Sequence, residues 1–154
     1  MSELKEGQKA PEFTSSDQDG NTVTLNQFLG KTVVLYFYPK DDTPGCTAEA
    51  CDFRDNYQGL TAKGIVVLGV SVDDEKSHLK FAAKHSLPFT LLADTDKKIV
   101  EAYGVWGEKN MYGKKYMGTN RTTFIIDEKG VIAHIIKKVE TKNSTAQVLG
   151  LLEK

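Results

Sequence analysis

The chain has 154 residues, enough for one domain that buries its own core, and its 40% apolar and 27% charged content is that of an ordinary soluble globular protein. A formal net charge of −1 gives no global pull toward nucleic acid or an anionic membrane. Met1-Ser2-Glu3-Leu4-Lys5-Glu6-Gly7 lacks the apolar stretch of a secretory signal, and no run approaches membrane-spanning length, which predicts a cytoplasmic protein whose two cysteines rest as thiols.

Lys9-Ala10-Pro11-Glu12-Phe13 leads into a short strand, and Asp19-Gly20-Asn21 predicts a hairpin turn returning through Thr22-Val23-Thr24-Leu25. Asn26 to Gly30 is a brief helical turn closed by glycine, and Lys31 to Tyr38 is an apolar, β-branched and aromatic run suited to a strand covered on both faces. Cys46 to Ala62 suits a helix with Cys51, Phe53, Tyr57 and Leu60 on its inner side. Ile65 to Val72 is a second buried strand, and Asp73-Asp74-Glu75 starts a helix carrying Leu79, Phe81, Ala82 and Ala83. Thr90-Leu91-Leu92-Ala93 is a short strand, after which Asp94 or Asp96 caps a helix through Ile99, Val100 and Tyr103.

Trp106 to Gly118 is polar and glycine-dotted and reads as the one long loop. Strands at Thr122–Ile126 and Val131–Ile136 flank the hairpin signal Asp127-Glu128-Lys129-Gly130, and Ser144 or Thr145 opens a terminal helix. The order predicts an α/β fold in a single domain over residues 1–154. A parallel core with right-handed crossovers is extended by an antiparallel pair, giving a central mixed sheet flanked by helices. The crevice beyond the carboxyl ends of such strands is where chemistry usually sits, and the strand ending at Tyr38 opens onto it.

Cys46 and Cys51, the only cysteines, lie just beyond that strand in Thr43-Pro44-Gly45-Cys46-Thr47-Ala48-Glu49-Ala50-Cys51. A strand that ends in a turn and delivers a cysteine to a helix N-terminus favours S⁻ over SH, because the helix end offers unpaired N–H groups and positive partial charge. Thr-Pro-Gly before Cys46 predicts an accessible turn, against the alternative of cysteine as a small core hydrophobe.

Pro39-Lys40-Asp41-Asp42-Thr43-Pro44-Gly45-Cys46 carries Pro-x-x-x-Thr-x-x-Cys, which resembles the active-site signature of the peroxiredoxins. The further Cys-x-x-x-x-Cys spacing is similar to the peroxiredoxin Q group, also called bacterioferritin comigratory proteins, whose two-cysteine members are of the atypical kind. The likeness runs from Gly7-Gln8-Lys9-Ala10-Pro11-Glu12-Phe13 to Asn120-Arg121-Thr122-Thr123-Phe124-Ile125-Ile126-Asp127. It implies a thioredoxin-like fold with an N-terminal β-hairpin extension. It also implies a thiol peroxidase acting on hydrogen peroxide or organic hydroperoxides, recycled by a thioredoxin-type dithiol protein and needing no cofactor.

In that reading Cys46 is the nucleophile that becomes a sulfenic acid. Thr43 places a hydroxyl near the thiolate or an incoming peroxide, or else simply caps the helix. Pro39 shields the cysteine, or only ends its strand. The backbone N–H groups of Gly45 and Cys46 are candidate donors to peroxide oxygens. Arg121 would otherwise read as a solvated cation; the resemblance makes it the charge that favours the thiolate. Glu49 either orients that guanidinium by a bidentate pair or favours the helix dipole.

Cys51 is the resolving candidate, with a core role as the alternative. Five residues along an intact helix put the two Cα atoms roughly 8–9 Å apart. A disulfide needs them within about 7 Å. If Cys51 resolves, the first turns must unwind in every cycle.

Gly30-Lys31-Thr32 is a P-loop decoy, since Leu25 stands where the motif needs glycine and a strand follows. His78, His85 and His134 fall on separate surface elements, and Cys-x4-Cys is poor zinc spacing, so no metal is expected. A general disulfide oxidoreductase would favour Cys-x-x-Cys. A redox-sensing binding module would form the disulfide without peroxide turnover. With no third cysteine to suggest an intersubunit bridge, a monomer is expected.

Overall fold

A computed structural model describes residues 4–153 of the chain. Strands β1 (Thr14–Ser16) and β2 (Thr22–Thr24) form the expected antiparallel hairpin, its turn made by Gly20 at φ 80. A 3-10 turn at Leu25–Phe28 follows, its start tied by the Thr24 amide donating to the Gln27 side chain at 2.9 Å. After these come β3 (Thr32–Phe37), α1 (Pro44–Asp55), α2 (Tyr57–Ala62), β4 (Ile65–Ser71), α3 (Glu75–His85), β5 (Thr90–Ala93) and α4 (Lys98–Ala102). The chain closes with β6 (Trp106–Met111), β7 (Lys114–Thr119), β8 (Thr122–Ile126), β9 (Ile132–Ile136) and α5 (Ser144–Leu152).

Seven strands form one mixed sheet in the order β2-β1-β5-β4-β3-β8-β9. β3, β4 and β5 are parallel, while β8 runs antiparallel to β3 and the N-terminal hairpin adds its strands at the far edge. Side chains of β3 alternate as the pleat requires. Val33, Leu35 and Phe37 face a core closed by Ile99 and Val100 of α4 and by Tyr103 just after it. Val34, Tyr36 and Tyr38 face the opposite core, which α1, α2, α3 and α5 cover with Phe53, Leu60, Phe81 and Val148. The carboxyl ends of all three parallel strands lie at one edge, and Tyr38 leads from it into α1.

The sequence-based expectations hold for both hairpins and all the parallel strands, and four details differ. The expected helix from Cys46 to Ala62 is two helices. It starts earlier, because Pro44 suits the first helical position, and it breaks at Asn56, whose side-chain amide donates to Asp52 O at 2.8 Å where the next turn would bond. On α1 the inner stripe is Cys46, Glu49, Ala50 and Phe53, at the i, i+3, i+4, i+7 spacing of one face, so Cys51 is only half buried. On α3 the inner residues are His78, Phe81 and Ala82; Leu79 is 49% exposed and Ala83 faces water. Buried His78 corrects the placement of all three histidines on surface elements.

The fourth difference is the segment expected to be a loop. Residues 106–119 form the two-stranded ribbon β6–β7, paired from Trp106↔Thr119 to Met111↔Lys114. Tyr112 at φ 54 and Gly113 at φ 81 make its two-residue turn with both central residues left-handed, the geometry that matches strand twist. Lysines on both faces of the ribbon, with glycines among them, hide its period of two.

Gly69 on β4 sits opposite Tyr36 of β3, and a Cβ there would meet the Tyr36 ring carbon and hydroxyl at 2.8 Å and Leu91 at 2.9 Å. Tyr36 is fully buried, stacked on Tyr38 and packed against the tilted ring of Phe53, so it has nowhere to move. Gly69→Ala is expected to destabilise the fold by about 1–3 kcal/mol, read as a lower urea midpoint at unchanged slope.

Candidate active site

The first turn of α1 puts Cys46 directly beyond the β3 exit. Its side chain turns inward onto the face shared with Tyr36 and Tyr38 and is 1% exposed. The expected accessible turn is therefore a buried thiol, because the Cys46–Phe53 stripe is what packs α1 on the sheet. In an α-helix the Gly45 and Cys46 amides have no intrahelical carbonyl; the first such bond here runs from Thr47 N to Thr43 O at 2.8 Å.

Arg121 reaches this point from the start of the neighbouring strand β8. Pairing of Phe37 with Thr122 places Arg121 just past the end of β3, level with Tyr38. Its Nη2 donates to Cys46 Sγ at 3.3 Å and its Nη1 to Glu49 Oε1 at 2.9 Å. Glu49 is fully buried, and its other oxygen accepts from Ser144 Oγ of α5 at 3.3 Å. The guanidinium is thus shared between thiol and carboxylate. Of the two roles the sequence left open for Glu49, it contacts Arg121, but through one oxygen and not as a bidentate pair. Gly45 fits the same approach, since a Cβ there would lie 3.1 Å from Arg121 Nη2.

Thr43 is the N-cap residue of α1, yet its side chain does not cap the helix. The hydroxyl donates to Lys40 O at 2.9 Å, which folds the Pro39–Thr43 loop on itself and leaves its oxygen as an acceptor. Pro39 is half buried at the strand exit. Cys51 is a half-buried free thiol on the same unbroken helix as Cys46. The site therefore brings Cys46, Glu49, Gly45 and Arg121 together, sets Thr43 and Pro39 in the adjoining loop, and keeps Cys51 one helical stretch away.

The electrostatics follow from burial. Desolvation pushes the Glu49 carboxyl up to about 7, against the opposing pull of Arg121. Burial lowers the Arg121 guanidinium, but Cys46 and Glu49 outweigh it and its net shift is upward. Lys109 of β6 donates to Thr119 O at 2.8 Å, and burial followed by the Arg121 charge lowers its ammonium. Ser144 and Lys109 had no signal in the sequence: one opens the terminal helix and the other lies in the unrecognised ribbon. Asp41, Asp73 and His78 form a compact donor cluster, but Asp41 and His78 are bonded to each other and the set reads as a hydrogen-bond network.

A helix-borne thiol held against a guanidinium at the carboxyl edge of a thioredoxin-like sheet defines a thiol-dependent peroxidase. The chain belongs to the AhpC/TSA family of peroxiredoxins, whose family model matches residues 6–135. It is 48% identical over 147 residues to Peroxiredoxin Bcp of Bacillus subtilis (strain 168), covering 96% of this chain and 94% of that one. Among solved structures it is similar to the PrxQ of Xylella fastidiosa, with TM-score 0.92 and 31% identity over 99% of this chain and 98% of that one. It is also similar to the bacterioferritin comigratory protein of Xanthomonas campestris, described for alkyl peroxide reduction, with TM-score 0.86 and 38% identity over 92% and 90% of the two chains.

Glu49 makes the α1 packing proton-dependent. Unwinding α1 would return Glu49 to water, where it titrates near the ordinary carboxyl value. The folded value is the higher, so protonation favours the intact helix fully below about pH 4.3. That advantage is lost as pH rises toward about 7 and is constant beyond. After one equivalent of peroxide, disulfide formation in the native protein is expected to gain roughly tenfold or more over Glu49→Gln between pH 5 and 7.5. Rapid alkylation and mass spectrometry across that range gives both rates; parallel profiles would refute the linkage.

Proposed function

We propose that this peroxiredoxin reduces hydrogen peroxide and organic hydroperoxides with Cys46 as nucleophile and Cys51 as resolving thiol, and that a thioredoxin-type dithiol protein recycles it. It works as a single-domain cytoplasmic monomer without metal or cofactor. The observation that carries this reading is the Arg121 guanidinium 3.3 Å from Cys46 Sγ and anchored at 2.9 Å by Glu49. A fixed cation there meets the charge that develops on the departing oxygen. The alkyl peroxide reduction of the Xanthomonas campestris relative supports the organic substrates.

The Cys46 thiolate attacks the terminal peroxide oxygen. A new S–O bond forms, the O–O bond breaks, and the alkoxide leaves as an alcohol once protonated; sulfur is oxidised by two electrons. Arg121 and the Gly45 and Cys46 amides hold the oxygens in line, while the Thr43 oxygen, its proton engaged by Lys40, accepts from the peroxide O–H. The Cys51 thiolate then attacks the sulfenic sulfur: the S–S bond forms, the S–O bond breaks, and hydroxide leaves as water once protonated by solvent. A dithiol reductant restores both thiols by exchange.

The resolving step requires α1 to open. Besides the Glu49–Ser144 contact, α5 grips α1 through Thr145 N on Asp52 Oδ2 at 2.7 Å and Thr145 Oγ1 on Asp52 O at 3.3 Å. Phe53 is fully buried beneath it, and exposing that ring alone costs about 1.5–3 kcal/mol. Resolution is accordingly the slow step, and excess peroxide has time to drive Cys46 to the sulfinic acid.

Cys46→Ser is expected to abolish peroxide consumption coupled to thioredoxin. Cys51→Ser should undergo one fast oxidation, leave a sulfenic acid trappable by dimedone and lose coupled turnover; full turnover in Cys46→Ser would overturn the assignment. In the disulfide form, residues 46–54 are expected to exchange amide hydrogens faster than in the dithiol form. Equal protection of that segment in both states, measured by hydrogen-exchange mass spectrometry, would remove Cys51 from the resolving role.

A further inference from the structure

The loop that carries Pro39 and Thr43 is anchored from below by a buried ionisable pair that the chemistry above does not use. Asp41 is 7% exposed and His78 is 0% exposed. Asp41 Oδ1 accepts from Tyr38 Oη at 2.6 Å, and its Oδ2 accepts from Ser77 Oγ at 2.8 Å and meets His78 Nδ1 at 2.6 Å. The other ring nitrogen, Nε2, faces Leu92 O of β5 at 2.8 Å. The Asp41 amide is held by Asp73 Oδ2 at 2.8 Å, and the same oxygen accepts from Ser71 Oγ at 2.7 Å. One aspartate thus ties the loop to the ends of β3, β4 and β5 and to the first turn of α3.

Counting protons makes the pair conditional. The Leu92 carbonyl can only accept, so Nε2 carries a hydrogen. The carboxylate already accepts from Tyr38 and Ser77, and its contact with Nδ1 holds only while a proton lies between them. Remove that proton and two lone pairs face each other in a dry site. The groups facing His78 are Asp41 and Tyr38 from β3 and its loop, Asp73 from the β4–α3 connection, Ser77 from its own helix and the Leu92 carbonyl from β5. Burial pulls the imidazole down, but Asp41, the Leu92 carbonyl and Asp73 outweigh it and the net shift is upward.

We propose that Asp41–His78 is a protonated latch that positions the reacting loop, holding Pro39–Thr43 and the start of α1 in the arrangement that Cys46 needs. The latch rests on the peroxidase reading above, and both residues act on the reaction only through the loop. Its sign follows from the raised imidazole value: the anchoring is complete below the ordinary histidine value of about 6.5 and is lost as pH rises through the folded one. A released loop misplaces Thr43 and the first α1 turn, which slows peroxide attack; the same release loosens α1 and speeds disulfide closure. Opposite changes in the two steps distinguish positioning from general destabilisation.

The test follows Cys46 oxidation and disulfide closure separately, by rapid-quench alkylation and mass spectrometry from pH 5.5 to 9. At pH 6, His78→Leu should oxidise Cys46 roughly tenfold more slowly than native protein and close the disulfide faster, because even small misplacement is costly. Native rates should converge on those of His78→Leu at alkaline pH. His78→Asn keeps a donor toward Asp41 that cannot titrate, so it should restore the pH 6 rate and abolish the alkaline decline. Native oxidation by His78→Leu at pH 6, loss of both steps together, or an alkaline decline retained in His78→Asn would overturn the latch. Nitrogen-15 spectra of the His78 ring, recorded without peroxide, should show both nitrogens protonated at pH 6 and the Nδ1 proton lost only above the ordinary histidine value. A bare Nδ1 at pH 6 would sink the latch without touching the peroxidase reading, and this arm stands if His78→Leu does not fold.

Discussion

Arg121 divided between Cys46 and Glu49 is the contact on which the rest of the site depends. A thiol buried on the apolar face of α1 would be an unreactive core group; burial alone disfavours the anion. The guanidinium sets a positive charge beside the sulfur, and a buried cation must itself be held; Glu49 one turn along the same helix face holds it. The geometry requires β8 to pair beside β3, so that residue 121 meets the helix start, and glycine at 45 leaves room for the guanidinium beside the first turn. Sheet order, helix placement and side-chain size therefore converge on one 3.3 Å contact.

The same packing sets up a conflict. In the proposed cycle α1 is intact when it aims Cys46 and opens to admit Cys51. The stripe of Cys46, Glu49, Ala50 and Phe53 favours the closed form through apolar burial, while two weaknesses keep opening within reach. Glu49 is a carboxyl held dry against its preference, and the helix stops at Asn56, so its unwinding need not propagate into α2. The grip of α5 on Asp52 is made of hydrogen bonds that water can replace. Opening is a local transition of one short helix, and the sheet beneath it need not change.

Much of the architecture was legible because it rests on local periodicity and turn chemistry. The run from Lys31 to Tyr38, the hairpin at Asp127-Glu128-Lys129-Gly130 and the cysteine after Thr-Pro-Gly each announce themselves within a few residues. The β6–β7 ribbon did not, because its faces are polar on both sides and Tyr112 is not a residue one expects at positive φ. The site divides in the same way. Cys46, Thr43 and Pro39 share one loop and could be read together, whereas Arg121 needed a family likeness to be lifted from the surface charges. His78 reads as a surface residue because its partner lies 37 positions away, and an isolated histidine among Ser77, Leu79 and Lys80 looks like a solvated one.

What could not be read is therefore mostly long-range polar bonding. Apolar contacts tolerate exchange of one partner for another, so composition and period suffice to place them. A buried hydrogen bond needs a particular donor opposite a particular acceptor, and an unmatched group is costly. Asp41 illustrates this. In sequence it is one of two adjacent acids before a Thr-Pro-Gly turn, and in the fold its neighbour Asp42 pairs at the surface with Lys84 and His85. Asp41 itself turns inward and collects four polar contacts from three elements. Two like residues side by side take opposite roles because the loop presents one to water and the other to the edge of the sheet, and only the folded chain decides which.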